Sequence, residues 1–415
     1  MSDETATIAA PGQVSRDGDA AFESIEMALR AGGPLAALDR LIEHLSTDGE
    51  YRALLDALLL KSRHELGLPL IASGPLSDMP EPQRSRFEES YVAAIRLVGS
   101  KYLEAGDIPT AYAYYRAIAE TEPVAKAIAG YRPSANDERL GAIIEVAFNH
   151  GVMPGRGFEL ILENYGTCPA ISAFEQLPPH DSAVRVACAE RLIAHLHQEL
   201  VANLRTEIAS RGQLVPAEGS SIAELVSGRD WLFSDDSYHI DTSHLAAVVR
   251  HGLIVTDRAF IAQAADLTEY GRRLAPRLQF DGPPPFQRIF DDHRVYLRAL
   301  LGHEVDNAIA HFQAKLDSSE AGLGSDPTMP AQALVNLLVR VGQLELAIDV
   351  AADQLAGLPE SALSCPTTAQ LCQRAGNPER LARIAREHGD LVDFTTGLLG
   401  TIARPRAIAP SQLTI

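Results

Sequence analysis

The stretch Val92-Ala-Ala-Ile-Arg-Leu-Val-Gly-Ser-Lys-Tyr102-Leu-Glu-Ala-Gly106-Asp-Ile-Pro-Thr-Ala111-Tyr-Ala-Tyr-Tyr115-Arg-Ala-Ile-Ala-Glu-Thr-Glu-Pro-Val-Ala125 decides how the rest of the chain is read. Ile95, Val98 and Tyr102 stand at i, i+3 and i+7, the spacing of one helical face. Gly106 is suited to end that helix, because glycine enters the left-handed conformation that side chains resist. Pro109 then fits the first turn of a second helix, where its missing N–H would be an orphan donor anyway. Small Gly99 and Ala111 allow the two helices to approach closely, while Tyr102 and Tyr115 fill the groove between them. The segment predicts an antiparallel helical hairpin, closed by Pro123.

The same spacing recurs. Leu334, Leu338, Gly342, Ala347, Ala351 and Pro359 repeat it with smaller residues in the second helix, and Gly376 follows Gly342 by 34 residues, with Cys372 and Ala385 at equivalent helical positions. Residues 297–316 give a copy with Gly302, Ala308 and Phe312 in order but one residue misspaced. Near the start, Gly32, Ala37 and Leu41 again give turn, small and apolar. This order of apolar, small, Tyr, turn glycine, Ala, aromatic and closing Pro resembles the tetratricopeptide repeat, although Ile118 stands where that pattern has a second Ala. The resemblance implies an α-solenoid of antiparallel helical hairpins whose concave groove holds a partner. An unrelated helical bundle would use the same Gly-x4-Ala turn, since any tight αα-hairpin favours it. The expected class is all-α, a tetratricopeptide-like solenoid with an irregular helical middle. Its organisation is a tail over 1–20, helical repeats over 21–130, an irregular helical region over 131–290, repeats over 291–400 and a tail over 401–415. Pro, Gly and Ser mark further loops at 73–84, 211–219 and 318–329.

Composition narrows the function. The 415 residues are 46% hydrophobic with a net charge of −19, which argues against a basic stripe for nucleic acid and against docking on an anionic membrane. No run of 18 apolar residues occurs, and the acidic, polar N-terminus is unlike a secretory signal. A cytoplasmic location is expected. Cys168, Cys188, Cys365 and Cys372 match no zinc or redox spacing and are expected to be buried free thiols.

Catalytic signatures are scarce. There is no phosphate-binding loop, no nucleophile elbow, and no second histidine four residues after His64 or His303 in the two His-Glu pairs. Six of the thirteen histidines do lie between 239 and 311. The sharpest group is His239, Asp241 and His244, two imidazoles and a carboxylate that would suit iron, zinc or manganese. Asp291, Asp292 or His293 would supply a further ligand or a supporting hydrogen bond. The alternative is that Asp241 or Thr242 caps a helix over about 243–252 and Asp291 opens another. Two functions follow: a scaffold binding a basic or extended peptide or protein in a helical-repeat groove, or a metal-dependent enzyme built on the His/Asp cluster.

Overall fold

The computed structural model describes residues 16–71, 74–178, 182–318 and 326–402. The tails expected over 1–20 and 401–415 fall largely outside these residues, as does much of the linker expected over 318–329. Among the described residues the fold is all-α, and the one β-type pairing is an isolated bridge between Asp281 and Arg288. The chain divides into two compact units between Gly157 and Phe158.

The first unit contains α1 (Arg16–Thr47), α2 (Tyr51–Glu65), α3 (Gln83–Glu104), α4 (Ile108–Ala117), α5 (Glu122–Gly130) and α6 (Leu140–Ile144), which runs into a wider turn over Glu145–Asn149. α1 is two helices meeting at Gly33, whose φ of 77° precedes Pro34. The break expected at Gly32 is therefore taken one residue later. α3 and α4 form the hairpin expected from the sequence. Gly106 has φ 76°, Asp107 N–H donates to Tyr102 O at 2.8 Å, and the Asp107 carboxylate caps α4 by accepting from Thr110 N–H at 3.1 Å. A Cβ on Gly99 would lie 2.8 Å from Cε2 of Tyr115, so the tyrosine packs directly on the α3 backbone and donates its hydroxyl proton to Arg96 O at 3.3 Å. Tyr102 stacks on Tyr114 rather than Tyr115, with centroids 5.3 Å apart, and meets Tyr51 of α2 edge-on. Ile118 lies beyond α4 as its C-cap, which is why the second small residue of the pattern has no counterpart.

The division falls within α7 (Pro154–Tyr165). The second unit continues through α8 (Thr167–Glu175), α9 (Ser182–Ser210), α10 (Ile222–Val226), α11 (Thr242–His251) and α12 (Arg258–Gly271). The 29 residues of α9 extend about 43 Å at 1.5 Å per residue. Leu192, Leu196, Leu200, Leu204 and Ile208 are fully buried along it, with α8, α10, α11 and α12 packed around. Each such side chain contributes about 1.5–3 kcal/mol when taken out of water.

Hairpins resume with α13 (Ile289–Leu300) and α14 (Val305–Asp317), α15 (Met329–Arg340) and α16 (Leu344–Gln354), then α17 (Thr368–Arg374), α18 (Pro378–His388) and α19 (Leu391–Ile402). The turns at Gly342 and Gly376 copy the one at Gly106. Their following residues, Gln343 and Asn377, donate backbone N–H to Leu338 O and Cys372 O at 2.8 and 2.9 Å. Gly302 has the same bond pattern, but Glu304 adds one more left-handed residue at φ 54° before α14 begins. That extra residue is the misspacing seen in the sequence. Cys188, Cys365 and Cys372 are buried as expected, whereas Cys168 is exposed.

Ion pairs sit between these helices. Asp292 on α13 is fully buried and accepts from His311 Nε2 at 3.0 Å, Lys315 Nζ at 2.9 Å and Arg288 N–H at 2.8 Å. Arg380 on α18 reaches back to Glu345 and Asp349 on α16. Arg340 donates to the carbonyls of Leu253 and Val255, both at 2.5 Å, joining α15 to the chain just after α11.

Two outcomes test this packing. Gly106→Val forces a β-branched residue into the left-handed region, and should lower the urea-unfolding stability by about 1–2 kcal/mol. The second concerns acid. His251 lies against Phe174 at 4.0 Å, and its Nε2 and that of His293 have no hydrogen-bond partner among the described residues. Burial is the main cause that lowers their pKa values, to about 3 for His251 and about 4 for His293. The unfolded chain, with histidines near 6.5, binds protons that the folded chain refuses. Stability is therefore complete above pH 6.5 and lost as pH falls towards 4, by about 1.4 kcal/mol per pH unit for each histidine. Urea midpoints between pH 7.5 and 5 should fall in wild type and fall less steeply in His251→Phe; a flat profile would sink the assignment.

Candidate functional site

The residues singled out as metal ligands are placed by α11 and α12. Asp241 is the N-cap of α11: its Oδ1 accepts from Ser243 N–H at 2.9 Å, His244 N–H at 3.0 Å and the Ser243 hydroxyl at 2.5 Å. Those hydrogen bonds hold its pKa below the usual carboxylate range, the Ser243 hydroxyl bond first. His239 lies in the preceding segment, where its backbone N–H donates to the Tyr270 hydroxyl at 2.7 Å and its Nδ1 lies 3.0 Å from the same oxygen. Tyr270 accepts the N–H and has its own proton left to give to Nδ1, which puts the ring proton on Nε2. Burial lowers the pKa of His239, in keeping with that neutral form. His244 stands in the first turn of α11. Among the described residues no three His, Cys, Asp or Glu side chains are grouped to hold a metal ion. The structure thus uses Asp241 for capping and His239 for packing and does not gather the three as one ligand set. Asp292 and His293, considered as further ligands, turn to His311 and Lys315 and to the Ile289 carbonyl instead.

The second unit also contains recesses among its described residues. One, of about 610 Å³, lies among α9, α10, α12 and the end of α13. His197 Nε2 meets Asp266 there at 2.9 Å, as a general base meets the carboxylate that orients it. Asp266 is already committed, however, accepting the backbone N–H groups of Ile222 and Ala223 at 2.7 and 3.2 Å. Ser221, the nearest hydroxyl in sequence, is itself taken up as the N-cap of α10. The pair is accounted for as a tie between α9, α10 and α12.

The second recess, of about 640 Å³, is a groove bounded by α16, the loop after it, α17, α18 and the start of α19. Its floor is aliphatic, from Leu355, Leu363, Leu381 and Ile384, and its edge is acidic, from Glu360, Asp390 and Asp393. Two of those acids are occupied. Glu360 accepts from Gln370 Nε2 at 2.8 Å, and Asp390 caps α19 through the N–H groups of Val392 and Asp393. The Asp393 carboxylate meets no cation among the described residues. Partial burial, then the nearby charge of Asp390, push its pKa up. A cationic group seated in the groove would reverse that shift. The turn glycines and prolines pointed to these hairpins in the sequence; the acid edge was not legible, because Glu360, Asp390 and Asp393 come together only when α16 to α19 fold.

Capping and ligation predict opposite results for two substitutions. Asp241→Ala should cost about 1 kcal/mol through the lost cap, while His244→Ala should change stability by only a few tenths of a kcal/mol. Calorimetric titration of zinc(II) or manganese(II) should give the same weak curve for wild type and His244→Ala. Tight binding that His244→Ala abolishes would restore the metal centre.

No protein-family model, curated protein or solved structure matches this chain.

Proposed function

We propose that the chain is a binding module in which stacked helical hairpins, similar to tetratricopeptide repeats, hold a basic, extended segment of a partner protein. The observation that carries this reading is the groove of the last hairpins, an aliphatic floor beside an unneutralised carboxylate at Asp393. Apolar side chains of the partner would cover Leu355, Leu363, Leu381 and Ile384, and a lysine or arginine beside them would stand against Asp393. Net charge of −19 favours the approach of such a segment at low salt. The turns at Gly106, Gly342 and Gly376, alike in geometry, support the solenoid reading, since each directs the chain back along the helix it has just left.

A labelled peptide alternating Leu and Lys is a direct probe. Fluorescence anisotropy should show saturable binding that weakens with salt, and Asp393→Asn should loosen it roughly tenfold, about 1.4 kcal/mol. Asp56→Asn, an exposed carboxylate in the first unit, should leave it unchanged. Equal binding of a Leu/Glu peptide, or an unaltered affinity in Asp393→Asn, would refute the proposal.

A further inference from the structure

Residues 403–415, Ala-Arg-Pro-Arg-Ala-Ile-Ala-Pro-Ser-Gln-Leu-Thr-Ile, follow α19 in the sequence and lie outside the described residues. They hold Arg404 and Arg406 and no acidic residue, in a chain whose net charge is −19. Ile408 and Leu413 add aliphatic side chains, while Pro405 and Pro410 oppose helix at the residues before them. A basic, partly apolar sequence ill-suited to helix is thus tethered to the helix whose first turn carries Asp393. Its chemistry is the one argued above for the occupant of the acidic groove.

Charge and reach both select the groove as its place. The Asp393 carboxylate meets no cation among the described residues, and Arg380 on neighbouring α18 is already engaged by Glu345 and Asp349. The outward side of α19, with Leu391, Val392, Leu399 and Ile402, offers arginines no countercharge, since Asp393 is the one charged residue of that helix. Asp393 stands nine positions before Ile402, about 14 Å along the helix at 1.5 Å per residue. An extended chain advances by up to about 3.3–3.6 Å per residue. Arg406, four residues after Ile402, can therefore be carried back about 14 Å to the level of Asp393. Ile408 then falls over the aliphatic floor of Leu355, Leu363, Leu381 and Ile384. A segment tethered so closely faces the groove at an effective concentration on the order of millimolar, enough to populate even a weak contact.

We propose that residues 403–415 fold back along α19 and occupy the acidic groove of their own chain, with Arg406 against Asp393 and Ile408 over the floor, so that a partner binds by displacing them. The proposal rests on the reading of this groove as a site for basic, extended segments, and adds its regulation.

Two measurements on the full chain test it. With p-benzoylphenylalanine in place of Leu358, a groove residue that is 37% exposed, irradiation should attach that position to a peptide from 403–415. In a mixture of isotopically heavy and light chains the attachment should stay within one chain, and Arg404→Glu with Arg406→Glu should remove it. The same double substitution should tighten binding of the Leu/Lys peptide about tenfold by removing its tethered competitor. Asp393→Asn loosens peptide and competitor together, so its tenfold effect should be full in the doubly substituted chain and only a few-fold in wild type. No attachment to 403–415, attachment only between chains, or attachment that survives the double substitution overturns the proposal. Equal peptide affinity in wild type and the double variant also overturns it, and leaves the groove as a site for partners. Attachment within the chain, with no peptide binding to either form, upholds the fold-back and refutes the partner-binding function instead.

Discussion

Everything in the hairpins depends on how a helix disposes of its last carbonyls. Four C=O groups at a helix end have no partner within the helix, and leaving them buried and bare is costly. A glycine in the left-handed conformation lets the following residue bond back five positions, as Asp107 does to Tyr102, Gln343 to Leu338 and Asn377 to Cys372. The same turn reverses the chain, so that satisfying the backbone and aligning the next helix antiparallel are one event. The apolar faces then meet because the turn has already aimed them. Close approach follows where a small residue allows it, as Gly99 does for Tyr115.

This explains why the all-α class and the hairpins at 92–125 and 342–376 were legible from residue order alone. Their signals are local: a turn glycine, followed at Gly106 and Gly376 by a proline two or three residues on, and apolar residues every third or fourth position. The misspaced copy at Gly302 was legible too, down to the single extra residue that Glu304 supplies. The middle was harder to read. α9 shows its periodicity plainly, but nothing in its sequence says that four helices surround it, since those neighbours are chosen by shape and not by spacing. The stacking of Tyr102 on Tyr114 was not legible for a related reason. Tyr114 and Tyr115 differ by about 100° around a helix, and the pattern names one position without stating which partner the other takes.

The candidate sites divide in the same way. The capping role of Asp241 is a near-neighbour effect and was visible as the alternative to metal binding. The cluster of Asp292, His311 and Lys315 was not, although Asp292 had been singled out as a possible ligand. His311 and Lys315 stand four apart on α14, one face of one helix, and only the turn at Gly302 brings that face over Asp292. A buried carboxylate shared by two cations and a backbone N–H acts on stability chiefly through what its loss would expose. The acidic edge of the groove belongs to this class as well, for Glu360 comes from the loop after α16 while Asp390 and Asp393 come from the start of α19.

Arg340 adds a matter of timing. The carbonyl oxygens that it binds, on Leu253 and Val255, precede it by 87 and 85 residues, whereas each hairpin spans 35 residues or fewer. Local contacts of the second kind form quickly and distant ones late. On a ribosome adding about 5–20 residues per second, those two carbonyls would be exposed for roughly 4–17 s before their guanidinium is even synthesised. During that interval the chain after α11 has water in place of its final partner, and is a stretch on which a chaperone or a neighbouring nascent chain could act.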